Sequence, residues 1–228
     1  ACVKDRVLHH AFFRILYPLF DPLFISDSYS CRLNKGTHKA VDRLKLFARK
    51  VSKNNTKNCF VLKCDIKKFF DSVNHDILLS QIEKRVKDKN AIWLTEEIVR
   101  SFPKDRGVPI GNLTSQLFAN IYLNELDYFV KHDLRIKYYI RYCDDFLILK
   151  DNIEELNEIL LKIKDFLRNK LKLSLHSGKI SIRAYHRGTD FLGYVSFPFY
   201  RVLRTKTKKR MLRRIEEKKN KESFNQTL

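Results

Sequence analysis

The runs Ile136 to Tyr142 and Phe146 to Lys150 are apolar, aromatic and β-rich, and only Cys143, Asp144 and Asp145 separate them. That is hairpin spacing, with turn-tolerant residues at the tip. Two carboxylates therefore crown a tight turn. A third acid ends another such run: Cys59 to Asp65, CFVLKCD, is short and nearly continuously apolar, which predicts a buried strand with Asp65 at its exit.

Around these strands the apolar spacing is helical. Val7, Leu8, Ala11, Phe12, Ile15 and Leu16 predict a helix over 5–17 that Pro18 ends. Residues 20–36 read as irregular, and another helix begins near Thr37. Ile77, Leu78, Ile82 and Val86 form a stripe behind an Asn74 cap. Residues 114–134 give the longest clear helix, with Leu117, Phe118, Ile121, Tyr122, Leu126 and Val130 on one face. A further helix carries Ile153 to Leu167, opened by Asp151, Glu154 and Glu155, where the dipole favours acids. Strands are expected over 173–176 and 189–197.

The element order predicts an α+β fold with the split β-α-β-β-α-β arrangement, helices covering one face of an antiparallel sheet. There the exit of the first strand lies beside the central hairpin, so Asp65 is expected next to Asp144 and Asp145.

Three acids at neighbouring strand ends repel one another, and such crowding persists where a divalent cation neutralises it. Oxygen-only ligands favour magnesium. Two magnesium ions about 3.5–4 Å apart can activate a 3′-hydroxyl and stabilise departing pyrophosphate. An Asp-Asp pair is also common in plain turns, and an Asp after a strand is often only a cap.

The charge balance supplies a substrate class. Lysine and arginine number 46 against 26 acids, a net +20 over 228 residues, which points to a polyanion such as nucleic acid. The 44% apolar and 12% aromatic content excludes wholesale disorder. No apolar stretch reaches the roughly 18–20 residues needed to span a bilayer, and no signal-peptide pattern opens the chain, so no membrane partner and a cytoplasmic location are expected. The five cysteines, Cys2, Cys31, Cys59, Cys64 and Cys143, form no CxxC pair, which favours reduced, mostly buried thiols over zinc. A start at Ala1 without methionine suggests an excerpt of a longer protein. Between Arg201 and Lys221 there are 11 basic residues and two acids, interleaved with Val202, Leu203, Met211, Leu212 and Ile215. That run reads as a helix gripping phosphates, or as a solvated face.

RYCDDFLIL, from Arg141 to Leu149, resembles the YxDD box of reverse transcriptases, and KCDIKKFFDSV, from Lys63 to Val73, resembles their first acidic motif. VPIGNLTSQLFANIYLNELD, from Val108 to Asp127, is similar to the third box. Its IGxxxSQ form resembles the diversity-generating retroelement branch, whereas group II intron and retron enzymes more usually carry QGxxxSP. SYSCRLNKGTHKAV (28–41) resembles the finger motif, LKLSLHSGKI (171–180) the lysine-bearing motif, and FLGY (191–194) the primer grip.

The resemblance implies a right-hand polymerase: fingers over 1–58, a palm over 59–200 with a fingers insertion around 74–110, and the start of a basic thumb over 201–228. Fingers and thumb look incomplete. It implies that Asp65 and Asp144 hold two Mg²⁺ ions, that Asp145 completes the acidic cluster, and that Ile66 offers a backbone carbonyl. Phe70 aligns with the aromatic gate against a ribose 2′-hydroxyl, a core phenylalanine being the competing reading; Phe69 is expected as the core member of the pair.

Ile110 stands where many reverse transcriptases place glutamine. The resemblance implies looser base discrimination there, because isoleucine imposes no penalty of unmet hydrogen bonds, or else simple packing under the nucleotide. Gly111 permits close backbone approach. Arg32 positions template or nucleotide, and Lys179 meets the triphosphate or protonates pyrophosphate; solvated surface is the alternative for both. Cys143 and Tyr142 of the box, Phe191, Leu192, Gly193 and Tyr194 of the grip, and Arg204, Lys208 and Arg210 of the basic run would face primer and template.

The expected partners are a template RNA, a DNA or RNA primer, dNTPs and, for the retroelement branch, a small basic accessory protein. The expected source is a bacterial or phage gene. Two rivals stand beside that branch: group II intron, retron or antiphage-defence work on the same fold, and a non-catalytic RNA-binding palm module.

Overall fold

The computed structural model describes residues 3–102, 105–109 and 111–225, with side chains described as far as residue 218. Two helices come first, α1 (Val3–Phe20) and α2 (Thr37–Val51), followed by strand β1 (Phe60–Asp65). Four helices, α3 (Phe69–Ser72), α4 (His75–Glu83), α5 (Lys89–Arg100) and α6 (Leu113–Tyr128), lead to the hairpin β2 (Tyr139–Tyr142) and β3 (Asp145–Lys150). Helix α7 (Ile153–Lys170) returns the chain to β4 (Ser181–Ala184). A small meander, β5 (Thr189–Phe191), β6 (Tyr194–Ser196) and β7 (Arg201–Leu203), precedes the basic helix α8 (Thr205–Asn225).

The main sheet is antiparallel throughout, in the order β2-β3-β1-β4, which is the order of the split β-α-β-β-α-β motif. Several starts obey the sequence. Asn74 Oδ1 accepts from the Ile77 N–H at 3.0 Å, Asp88 Oδ1 from Ala91 at 2.8 Å, and Asn152 Oδ1 from Glu154 at 2.7 Å, each relieving an orphan donor of a first helical turn.

The sheet is covered on both faces, not one. Leu62, Cys64, Tyr139, Phe146 and Ile148 face a core shared with α1, α4, α6 and α7. The alternate residues Val61, Ile140, Leu147 and Leu149 face a second core, formed by Ala40, Val41, Leu44, Phe47 and Ala48 of α2 with Tyr185 and Phe191. Side chains alternate across a strand, so a strand buried on both sides needs an unbroken apolar run. β1 and β3 carry such runs.

Five expectations shift. α1 passes Pro18 and ends at Phe20, because Phe20 extends the buried stripe of His9, Phe12 and Leu16. The long helix stops at Tyr128, and residues 129–133 widen into a π-turn in which the Leu134 N–H donates to the Phe129 carbonyl at 2.9 Å. Residues 173–176 make only an isolated bridge, Leu175 to Ile66; the fourth strand is 181–184, which pairs with residues 60–63 of β1. Residues 189–197 are a hairpin: Leu192 and Gly193 turn at φ +52° and +87°. Gly193 needs its missing side chain twice over, since a Cβ there would also lie 3.2 Å from Thr207 Oγ1. Finally, Arg201–Leu203 form a strand, so the basic helix begins at Thr205.

Candidate active site

Register brings two of the three acids together. Asp65, the last residue of β1, is the direct cross-strand partner of Asp145, the first residue of β3. Such pairs hold their Cβ atoms about 4.5–5.5 Å apart on one sheet face, and like charges placed so are destabilising. Asp144 lies in the two-residue turn between β2 and β3. Cys143 adopts φ +55° there, and the Asp144 carbonyl accepts from the Ile66 N–H at 3.3 Å, joining the turn to the end of β1. The bridge of Ile66 to Leu175 runs through the Asp65 carbonyl and the Lys67 N–H, so the Ile66 carbonyl takes no part in it.

Lys179 stands opposite. Its Nζ donates to both oxygens of Asp65, at 3.0 and 2.9 Å, and that hydrogen bond raises its own pKa. Burial pushes the Asp145 carboxyl up to about 6; repulsion from Asp65 and Asp144 adds to this, while Lys63 and Lys179 oppose it. Asp144 is likewise raised, by burial first and then by Asp65.

A carboxyl whose pKa is higher folded than unfolded binds more protons in the native state. Stability therefore falls as pH rises from about 4 to about 6, and the loss persists at pH 7. Asp145→Asn is expected to raise the unfolding free energy in divalent-free buffer at pH 7 by about 1–3 kcal/mol. It should also flatten the pH dependence of melting over that window. Thermal melts across pH check this, and a variant less stable than its parent at pH 7 contradicts it.

Among the described residues no three His, Cys, Asp or Glu side chains form a ready metal cage. Charge chemistry supplies the fit to a hard divalent cation: oxygen donors at one sheet end, with the protonation of two carboxyls raised by burial and mutual repulsion.

Phe69 is fully buried and Phe70 only partly, with the two rings edge to face at 5.3 Å. The Val108 N–H donates to the Phe70 carbonyl at 2.8 Å and that of Gly107 to Val73 at 2.7 Å, so the segment opening the third box lies against the first motif. Gly111 has φ +102° with open space where a Cβ would stand. Ile110 lies outside the described residues.

Arg32 is not gathered into this group. Its guanidinium donates to Asp21 Oδ1 at 2.6 Å, to the Asp21 carbonyl at 3.1 Å and to the Ile25 carbonyl at 2.7 Å, and it covers the Phe24 ring at 5.4 Å. Those bonds staple the loop before α2.

Behind the carboxylates a polar cavity of about 670 Å³ runs between the two sheets, lined by Asp65, Asp145, Lys63, Lys179, Arg183 and Arg204 among others. Lys63 Nζ donates to the Asp190 carbonyl at 2.7 Å, and Arg204 to Asp190 Oδ2 at 3.2 Å. Phe191 is buried beneath, while Leu192 and Gly193 form the β5–β6 turn. The Tyr194 hydroxyl meets His38 Nε2 at 3.2 Å, and Arg201 stacks over the Tyr194 ring at 5.4 Å. Tyr142 accepts a long hydrogen bond, 3.4 Å, from Thr37. Lys208 and Arg210 are exposed on α8, whose Met211 and Ile215 line a groove with Tyr194 and Leu203. Of the cysteines, Cys59 and Cys64 are buried free thiols, Cys143 is half-buried and Cys31 is exposed.

Sequence reasoning missed Arg141, which it read only as a letter of the box. Its side chain is wholly buried under the turn. Nε and Nη2 each donate to one oxygen of Asp127 at 2.7 Å, and Nη1 donates to Asn120 Oδ1 and to the Cys143 carbonyl, both at 3.1 Å. An arginine, an asparagine and an aspartate at three separated places in an otherwise apolar pattern were the available signal.

With this geometry in place, likeness to known proteins can be judged. The chain resembles Protein YkfC of Escherichia coli K12, 25% identical across 84% of this chain and 60% of that one. It also resembles the group II intron-encoded protein LtrA of Lactococcus lactis subsp. cremoris, 26% identical across 83% and 42% respectively. It thus spans less than two thirds of either relative's length. Among solved structures, apo telomerase from Candida tropicalis truncated from its C-terminal domain superposes with a TM-score of 0.67 at 17% identity, covering 86% of this chain and 45% of that one. The fold is that of a right-hand polymerase. The family model for reverse transcriptase (RNA-dependent DNA polymerase) matches residues 1–196, and the chain belongs to that family.

Proposed function

We propose that this chain carries the catalytic centre of an RNA-directed DNA polymerase that extends a primer 3′-end along an RNA template. The observation that supports it most is the cross-strand pairing of Asp65 with Asp145 beside the Asp144 turn, in a chain of this family. Residues 1–58 would act as fingers, 59–200 as palm and 201–228 as the first part of a thumb.

Asp65 and Asp144 would hold both magnesium ions, with Asp145 as the third acid and the Ile66 carbonyl on the nucleotide side. When bound, the pair supplies an activated 3′-hydroxyl and charge neutralisation at the leaving pyrophosphate. Lys179 serves as the resident cation: its ammonium balances Asp65 in the resting site and swings to the triphosphate as nucleotide enters. Arg204, Lys208 and Arg210 contact phosphates without reading sequence, so binding weakens with salt.

The test is primer extension by the purified chain on an RNA template with dNTPs and Mg²⁺. No extension under any divalent condition, with RNA still bound, would favour the non-catalytic module.

Phe70 packs on Phe69 and keeps part of its ring exposed, as a wall against a 2′-hydroxyl requires. Phe70→Ala is expected to cut the preference for dNTP over rNTP by about 10–200-fold, the range that a volume difference in a pocket provides. Competing single-nucleotide incorporations measure it, and an unchanged ratio assigns Phe70 to packing.

The IGNLTSQ box favours an error-prone diversity-generating retroelement enzyme, with a dedicated template RNA and a small basic accessory protein. Sequencing cDNA made by the complex tests this: adenines copied as faithfully as other bases would exclude it. The likeness to the Lactococcus lactis intron protein favours group II intron work as the second reading.

A further inference from the structure

Arg141 ties the acidic turn to the rest of the molecule through both its main chain and its side chain. β2 is the edge strand of the main sheet, and its outer edge is closed by the loop ahead of α2. Ser28 bridges Arg141 in parallel, the Arg141 N–H donates to the Asp27 carbonyl at 3.0 Å, and the Tyr29 N–H donates to the Arg141 carbonyl at 2.9 Å. The side chain goes the other way, into α6, where Asp127 is wholly buried and also accepts from the Tyr139 hydroxyl at 2.7 Å. Asn120, one residue on α6, completes a circuit: its oxygen accepts from Arg141 Nη1 and its Nδ2 donates to the Ser30 carbonyl at 2.9 Å. The same Nη1 holds the Cys143 carbonyl, one peptide before Asp144.

A planar guanidinium fixed at three edges has little freedom. The carbonyl it holds therefore takes its position from α6 and from the 27–30 loop together. Cys143 sits at φ +55°, a conformation that a non-glycine residue keeps only when its surroundings hold it.

We infer that Arg141, with Asp127 and Asn120, is the positioning set for the Asp144 turn, and that it couples that turn to the loop at residues 27–30. This rests on the polymerase reading above. Loss of the set leaves nucleotide binding in place and slows the chemical step, because the acids remain while their placement relaxes.

Two variants separate positioning from folding. Asn120→Ala keeps the buried ion pair and removes two hydrogen bonds, the one accepted from Arg141 Nη1 and the one donated to the Ser30 carbonyl. The triple variant Arg141→Met, Asp127→Leu, Tyr139→Phe replaces the ion pair and the hydroxyl bonded to it by apolar side chains, leaving Asn120 in place, a swap that buried ion pairs often tolerate in stability. In both, kcat for single-nucleotide incorporation is expected to fall at least about tenfold, with KM for the nucleotide held within about threefold.

Independently of activity, hydrogen exchange at the Ile66 amide, which donates to the Asp144 carbonyl, should quicken in Asn120→Ala by at least about tenfold. Wild-type kcat and wild-type Ile66 exchange in Asn120→Ala overturn the inference, whatever the triple variant does. So does a folded triple variant of full activity. An inactive parent chain would instead count against the polymerase reading, and the exchange measurement would still decide the coupling.

Discussion

Asp144→Ala is expected to abolish primer extension, lowering the rate on an RNA template by at least about 10³-fold, equivalent to about 4 kcal/mol of transition-state stabilisation. The loss is selective. Removing this carboxylate takes away a ligand for developing charge and also a source of repulsion, since Asp144 and Asp145 are both held above the ordinary carboxylate range by burial and by neighbouring acids. The variant should therefore melt no lower than its parent in divalent-free buffer. Initial rates beside thermal melts measure both halves. A variant retaining a tenth of the parent rate removes Asp144 from catalysis, and one that melts far below its parent makes the residue structural.

Arg141→Ala should act in the opposite sense, on folding first. Asp127 has no exposure and loses its bidentate partner, and a buried charge stripped of its counter-ion costs about 3–5 kcal/mol. For a domain stabilised by about 5–15 kcal/mol that is a large share, and a fall in melting temperature of about 6–20 °C follows from the usual entropy of unfolding at this size. Replacing Arg141 and Asp127 together by Met and Leu, with Tyr139→Phe, should recover most of that loss. Differential scanning calorimetry on the two variants compares them directly. A melting temperature within two or three degrees of the parent for Arg141→Ala would mean that Asp127 is neutralised or hydrated by another route.

The main strands were legible because alternation and burial constrain them doubly. Cys59 to Asp65 and Phe146 to Lys150 are apolar on both faces, and the structure buries both faces, one against α4, α6 and α7 and the other against α2. Capping was legible as well, since Asn74 needs only its own local backbone to find Ile77. Where the reading slipped, a distant partner decided the outcome. Leu173 to His176 has strand-like letters, yet its one bridge is to Ile66, because Phe60 to Lys63 already pair with Ser181 to Ala184. Pro18 reads as a stop, but the packing of Phe20 extends the helix past it.

The site divides in the same way. The chemistry of Asp65, Asp144 and Asp145 follows from their type and from their places at strand ends, and their grouping follows from a topology that the element order implies. Arg32 and Arg141 are each one letter of a motif, the first ahead of polar Asn34 and Lys35 and the second inside an apolar strand run. One staples a loop and the other lies wholly under the acidic turn, and the local sequence names the partners of neither.

By itself the sequence determined the three strands β1, β2 and β3, the helix faces, the three acids and the excess of positive charge, since each depends on residues a few positions apart. Tertiary structure alone decided which buried polar groups meet: the fork of Arg141 onto Asp127, Asn120 and Cys143, the hold of Lys179 on Asp65, and the sheet's second core. The reason is that a hydrogen bond in the interior is selected by geometry over a few tenths of an ångström among partners from remote segments. The order of the letters does not carry that information.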